Sequence, residues 1–271
     1  MDSGGLASDS DQVSGIVTSV AIAAMKIIGY DSVNIGPYEA LHPELANWEA
    51  FVSSNLVNET TSAMFTEPYR LLKAGGLSIG VIGIAMEGKA KDSSSIMAVQ
   101  PDKALKKILP EVREKADIIV LLSKYNMRET ELILKEIDGV DLVISSAGGY
   151  AEKVVKTESG TFIIATGTGC TKLQTATIKL DGKKIVDVQK ETINLDELVI
   201  PDPDVVSITG MDKNATVADL RKKELELIKK KVLEMSKLDP KTQYQKMAEE
   251  DNTPEGRKRL ERLMRMGEKQ Q

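Results

Sequence analysis

The sequence predicts an α/β domain, on three observations. Residues 118–122 and 140–144 are continuous apolar runs, as strands buried on both faces of a parallel sheet are, and a helical-looking stretch at 128–136 lies between them. Upstream, helical and strand-like stretches alternate, whereas from 161 to 190 strands follow one another directly. The residues after the two runs, Ser123-Lys124-Tyr125-Asn126 and Ser145-Ser146-Ala147-Gly148-Gly149, are polar or small and carry no metal ligand. In open α/β sheets the carboxyl ends of strands are where ligands are held.

Taken in order, residues 1–10 read as a Gly/Ser/Asp loop. Residues 12–28 read as a helix with a wide apolar stripe that includes Val13, Ile16, Val20 and Ala24, closed by Gly29. A short strand is expected at 32–35, ending in Gly36-Pro37-Tyr38-Glu39, then a short helix at 45–50 and a strand at 51–56. A polar connection leads to residues 69–72. Gly75-Gly76 turns the chain into a strong strand at 77–84, whose internal Gly80 and Gly83 imply close backbone approach. Residues 89–95 read as a charged, Ser-rich loop. A helix at 102–115 is expected to kink or split at Pro110. The 118–144 segment follows as a right-handed βαβ unit, with Leu132, Ile133, Leu134 and Ile137 covering one sheet face.

Strands at 161–166 and 173–180 come next, and 184–190 pairs with the latter across Asp181-Gly182. The change from βα alternation to antiparallel strands predicts a mixed sheet or two stacked sheets. Beyond Gly210 the composition shifts to helix signals: a capping box from Thr216 to Asp219, a stop at Asp239-Pro240, a second helix at 241–249, and a third opened by Pro254. The expected organisation is a domain at 1–210 and a helical tail at 211–271. The last helix carries Arg257, Lys258, Arg259, Arg262 and Arg265 around an apolar stripe, the pattern of an amphipathic helix docking on the domain or on a neighbouring chain.

Composition narrows the function. The 271 residues are 41% hydrophobic and 28% charged, as in an ordinary globular protein. Aromatics make up only 4%, so the core must be aliphatic, with methionine filling gaps. The net charge of −5 gives no general attraction to nucleic acid. A single cysteine excludes an intrachain disulfide, and a single histidine, His42, excludes a multi-histidine site. No run of 18 apolar residues suggests a membrane span. The opening stretch is acidic and does not read as a signal peptide.

The ordered series of a DxGD-like start, GYDSVNIGPYE, LSIGVIGI, ADIIVLLSKYN, VDLVISSAGG and TFIIATGTGCTKLQTATIKLD resembles the catalytic domain of 5′-nucleotidase/UDP-sugar hydrolase-like metallophosphoesterases, over residues 2–195. That resemblance implies a calcineurin-like αββα sandwich, two divalent metals, phosphate-ester hydrolysis and an extracytoplasmic location. It also implies five short motifs. The first, Asp-x-His on an opening strand, has no counterpart and is expected upstream of Met1. The bridging aspartate of the second falls on Gly5. The third, Gly-Asn-His-Glu, falls on Gly36-Pro37-Tyr38-Glu39, so Pro37 replaces the metal-binding amide and Tyr38 the catalytic imidazole. The fourth falls on Lys124, and the histidines of the fifth on Ala147 and Gly149.

A two-metal site clamps attacking and leaving oxygens and supplies hydroxide at neutral pH. Glycine, proline and alanine side chains hold no metal, and an ammonium repels one. The expectation is therefore a degenerate site that uses no metal cofactor, in a binding or structural protein. A phosphate-ester hydrolase with a site completed in trans is the alternative.

The remaining candidates each have two readings. Lys124 stands in for a lost cation and holds a phosphate or carboxylate, or is a solvated strand-end lysine. Tyr38 hydrogen-bonds a ligand in the cleft or fills the void; Glu39, Asn126 and Ser146 line the same region. Cys170, after Thr166-Gly167-Thr168-Gly169, is a reactive thiol with Lys172 beside it, or a small buried residue. The expected partner is an unidentified protein or a small anionic ligand, with oligomerisation through the C-terminal helices.

Overall fold

The computed structural model describes residues 1–6, 14–41, 48–89, 95–146, 154–165, 172–195, 199 and 202–209. In chain order these form α1 (Ser14–Ile28), β1 (Val33–Asn34), β2 (Phe51–Val52), β3 (Leu56–Asn58), β4 (Tyr69–Ala74), β5 (Leu77–Ile84), β6 (Gly88–Lys89) and β7 (Ile96–Ala98). Then come α2 (Pro101–Lys115), β8 (Ile118–Ser123), α3 (Met127–Leu134), β9 (Leu142–Ser145), β10 (Val154–Lys156), β11 (Phe162–Ala165), β12 (Lys172–Asp181), β13 (Lys184–Asn194) and α4 (Pro203–Thr209).

Two compact units divide the chain, Met1–Ile200 and Pro201–Gln271. The second contributes α4 to the described residues. Its first turn is capped by Asp202, whose Oδ1 accepts from the Asp204 and Val205 amides at 2.8 and 3.2 Å. The expected helices of residues 211–271 lie outside the described residues. No described helix is long and apolar enough to cross a membrane.

The first unit is built on a six-stranded sheet in the order β10-β11-β9-β8-β5-β4. Its centre, β5, β8, β9 and β11, is parallel, and antiparallel β4 and β10 close its edges. Every residue of β8 is buried, which is why that run is continuously apolar. On one face α2 and α3 bring Leu105, Leu109, Val112, Met127 and Leu134 against Ile82, Ile84, Ile119, Leu121 and Val143. On the other, Val81, Val120, Leu122, Leu142 and Phe162 meet Val52, Ile185 and Val188. Ile22 and Met25 of α1 then cover Val33, Ile35 and Phe51 from outside. The succession is helices, sheet, strands, helix: the αββα layering implied by the resemblance.

Several elements differ from expectation. Pro110 does not split α2, which runs unbroken from Pro101 to Lys115. Both Pro110 and Lys106 are exposed, so the carbonyl freed by the missing proline N–H can meet water. Leu132 does not join the sheet-facing set: it is 64% exposed, two residues from buried Leu134 and therefore on the far side of the helix. The strand expected over 51–56 is two short ones, because the Ser53 and Ser54 amides leave the ladder to donate to the Glu67 and Gly83 carbonyls at 3.1 and 2.8 Å. Residues 69–74 form a full edge strand. β6, β7, β10 and α4 have no counterpart among the expected elements. The helix expected at 45–50 falls largely outside the described residues.

Candidate functional site

The site lies at the carboxyl ends of β5 and β8, where two earlier segments reach them: the Ser3-Gly4-Gly5 turn and the Gly36-to-Glu39 turn. Asn34 ties this together. Its Nδ2 donates to the Ser3 carbonyl at 3.0 Å and to the Ile84 carbonyl at 2.8 Å, and the residue is fully buried. The Lys124 amide donates to the same Ile84 carbonyl at 3.0 Å, which fixes the residue after β8 over the end of β5. The Ser146 amide donates to the Ser123 and Tyr125 carbonyls at 2.8 and 3.1 Å and brings β9 alongside.

Glu39 is 3% exposed and begins a short 3-10 turn. Its carboxylate accepts from the Gly5 amide at 3.1 Å and the Gly36 amide at 3.0 Å, one on each oxygen. Two N–H donors offset the cost of burying the charge. Asp2 lies beside it and accepts from the Gly4 amide at 2.7 Å. Burial pushes the Asp2 carboxyl above its ordinary range, and nearby Glu39 adds to this, while the Gly4 amide and the Lys124 charge pull the other way.

Gly5 and Lys124 meet at the centre. Gly5 has φ +96°, and a Cβ built there would stand 1.7 Å from Lys124 Nζ and 2.8 Å from its Cε. The ammonium thus occupies the volume any side chain at residue 5 would need. Lys124 is half-buried, and its Nζ donates to the Gly4 carbonyl at 3.4 Å.

Other sequence-predicted residues are distributed unevenly. Pro37 is buried and Tyr38 half-buried beside Glu39. Ser146 is half-buried. The Asn126 side chain is engaged by α3: its Oδ1 accepts from the Glu129 amide at 3.0 Å, and Glu129 Oε2 accepts from the Asn126 amide at 3.1 Å, a capping box. His42, Ala147, Gly149 and Cys170 lie outside the described residues. Sequence reasoning missed Asn34 and the buried polar run Ser53-Ser54-Asn55. The signal for the latter was three small polar residues inside an apolar segment, FVSSNLV.

Metal coordination requires lone-pair donors converging on one point. Among the described residues, no group of three or more His, Cys, Asp or Glu side chains does so. Gly5 and Pro37 offer no side-chain donor, Lys124 offers only N–H, and both Glu39 oxygens already accept backbone amides. The described residues do not fit a two-metal centre.

No family model matches the chain. It is 29% identical over 113 residues to a 5′-nucleotidase of Vibrio cholerae, covering 36% of this chain and 20% of that protein. To Protein UshA of Yersinia enterocolitica it is 26% identical over 146 residues, covering 48% of this chain and 26% of that protein. The matches thus span a fifth to a quarter of these relatives. Among solved structures, the sulfate thiohydrolase SoxB of Thermus thermophilus superposes with TM-score 0.64 at 19% identity, over 77% of this chain and 41% of that one. A 5′-nucleotidase precursor of Thermus thermophilus gives TM-score 0.55 at 18% identity, over 71% and 44%. The calcineurin-like phosphoesterase YfkN of Bacillus subtilis gives 0.56 at 13%, over 70% and 72%. The fold is that of the calcineurin-like phosphoesterases.

Proposed function

We propose that this chain, a relative of the UshA-like metallophosphoesterases, is a non-catalytic member that serves as a binding or structural domain. The supporting observation is the shared volume of Gly5 and Lys124. The resemblance assigns a bridging metal ligand to residue 5 and a second ligand to residue 124. At those positions there is no side chain and a cation. An ammonium has no lone pair for coordination and cannot generate the metal-bound hydroxide on which such hydrolysis depends.

The binding role is supported by Tyr38, Lys124 and Ser146, half-buried polar residues at this site that are candidates for holding a small anionic ligand, and by the amphipathic sequence pattern of residues 254–271, which suits a protein partner. An extracytoplasmic location belongs to the same proposal, supported by the family resemblance alone. The test is metal content by elemental mass spectrometry, after incubation of pure protein with manganese and zinc and desalting, together with hydrolysis of a phosphomonoester. The expected result is sub-stoichiometric metal and no metal-dependent turnover. One or two tightly held ions per chain with turnover would overturn the proposal and favour the hydrolase alternative.

A further inference from the structure

We infer that Lys124 is a tethered counter-ion: its ammonium neutralises and cross-links the pole of the fold formed by Asp2, Gly5 and Glu39, in place of any exchangeable cation. This rests on the preceding reading that the pole does not take metal. Three observations carry it. The first is space. The ammonium fills the volume over Gly5, 1.7 Å from where a Cβ would sit, so residue 5 and the lysine head are mutually exclusive occupants. The second is charge. Glu39 is buried and Asp2 half-buried, and both hold the turn that Lys124 reaches: Glu39 accepts from the Gly5 amide, Asp2 from the Gly4 amide, and Lys124 Nζ donates to the Gly4 carbonyl. Carboxylates brought together under burial repel each other unless a positive charge is placed among them.

The third is connectivity. Lys124 directly follows β8, and its Nζ reaches the Gly4 carbonyl, a partner 120 residues earlier in the chain. Glu39 joins residues 5 and 36 through their amides. The ammonium therefore sits where segments remote in sequence converge, as a bridging ion does. A single hydrogen bond of 3.4 Å directs it, so charge and shape rather than a fixed bond hold it there.

The test uses the full chain and thermal unfolding with and without chelator. The wild type is expected to keep its Tm in EDTA. Lys124→Met keeps the length and loses the charge, and is expected to lower Tm by on the order of 5 °C, whereas Lys124→Arg keeps most of it. Lys124→Ala opens the niche, and its Tm is expected to recover in millimolar ethylammonium, with no gain for the wild type. A Lys124→Met variant as stable as the wild type, or ethylammonium raising every variant alike, overturns the inference.

Should the uncharged variants not fold, amine acetylation of the native wild type decides. Lys124 is expected to react at least tenfold more slowly than exposed Lys103, and equal rates overturn the inference. A drop of wild-type Tm in EDTA, or metal-dependent turnover, would instead count against the non-catalytic reading.

Discussion

Asn55 holds Ala85 by both backbone groups: its Oδ1 accepts from the Ala85 amide at 2.8 Å and its Nδ2 donates to the Ala85 carbonyl at 2.9 Å. A side chain here does what a neighbouring strand would do for the residue just beyond β5. A third bond, Nδ2 to the Val99 carbonyl at 2.7 Å, extends the tie to the segment entering α2.

Asn55 is fully buried, so truncation strands several polar groups away from water. Asn55→Ala is expected to cost about 3 kcal/mol in urea unfolding. A cost below about 1 kcal/mol would mean that water replaces the amide and that the tie is incidental.

Gly83 is smooth for a steric reason. A Cβ there would stand 2.4 Å from Asn34 Oδ1 and 2.5 Å from the Val52 carbonyl oxygen, which is backbone and cannot swing away. Gly83→Ala is expected to cost about 2 kcal/mol or more through overpacking. Gly75→Ala is the comparison: it has φ +57° and nothing within 4 Å of its Cβ, so only the left-handed backbone is strained, at about 1 kcal/mol. Equal losses at both positions would refute the packing argument.

Asn126→Ala is expected to cost about 1 kcal/mol, the value of an N-terminal cap, and to leave binding of inorganic phosphate unchanged where binding is measurable by calorimetry. A tenfold fall in phosphate affinity would return Asn126 to the ligand site.

The Asp117 carboxyl is held below the usual carboxylate range by Lys183, whose Nζ stands 2.6 Å from Oδ1, and by the Ser78 amide at 2.8 Å, against a smaller opposing effect of desolvation. The folded chain therefore binds this proton less readily than the unfolded one. Its contribution to stability is complete above about pH 4, the unfolded value, and is lost as pH falls through the lower folded value. Asp117→Asn is expected to lower stability at pH 7 and to shrink the drop between neutral and acidic pH. An acid limb identical to the wild type would show that the pair does not operate.

The layers of the fold were legible because each βαβ piece is local. Residues 118–144 contain both strands and the helix that joins them, and their apolar runs state their burial directly. Gly80 was legible too: its Cβ would stand 2.4 Å from Val112 Cγ1, the close approach of α2 that a glycine in a strong strand implies. The hairpin across Gly182 followed from turn chemistry. The break at Ser53-Ser54-Asn55 was not legible, because the amides that leave the ladder go to Glu67 and Gly83, remote partners that local pattern does not name. Pro110 misled because local sequence gives the lost hydrogen bond and not the water that can replace it. At the site, the sequence offers candidate positions only one at a time. That Lys124 would stand in the space over Gly5 depends on two segments meeting in three dimensions.

The order of strands in the sheet has a kinetic consequence. From β4 through β5, β8 and β9 each strand lies beside its predecessor within the sheet, with β11 and β10 completing the far edge. Residues 69–165 therefore contain every strand of the sheet, but its parallel pairs close across long connections, residues 85–117 between β5 and β8 among them, the condition for slow sheet formation. The Ser3-Gly5 turn, β1 and Glu39 come from outside that stretch, so the pole that carries Lys124 is completed only when the N-terminal segment docks. Native-state hydrogen exchange is expected to find the amides of β5 and β8 protected at the global level, with those of Gly5 and Gly36 opening at lower free energy. The lysine would then act as a latch closed late, whose removal speeds unfolding more than it slows folding.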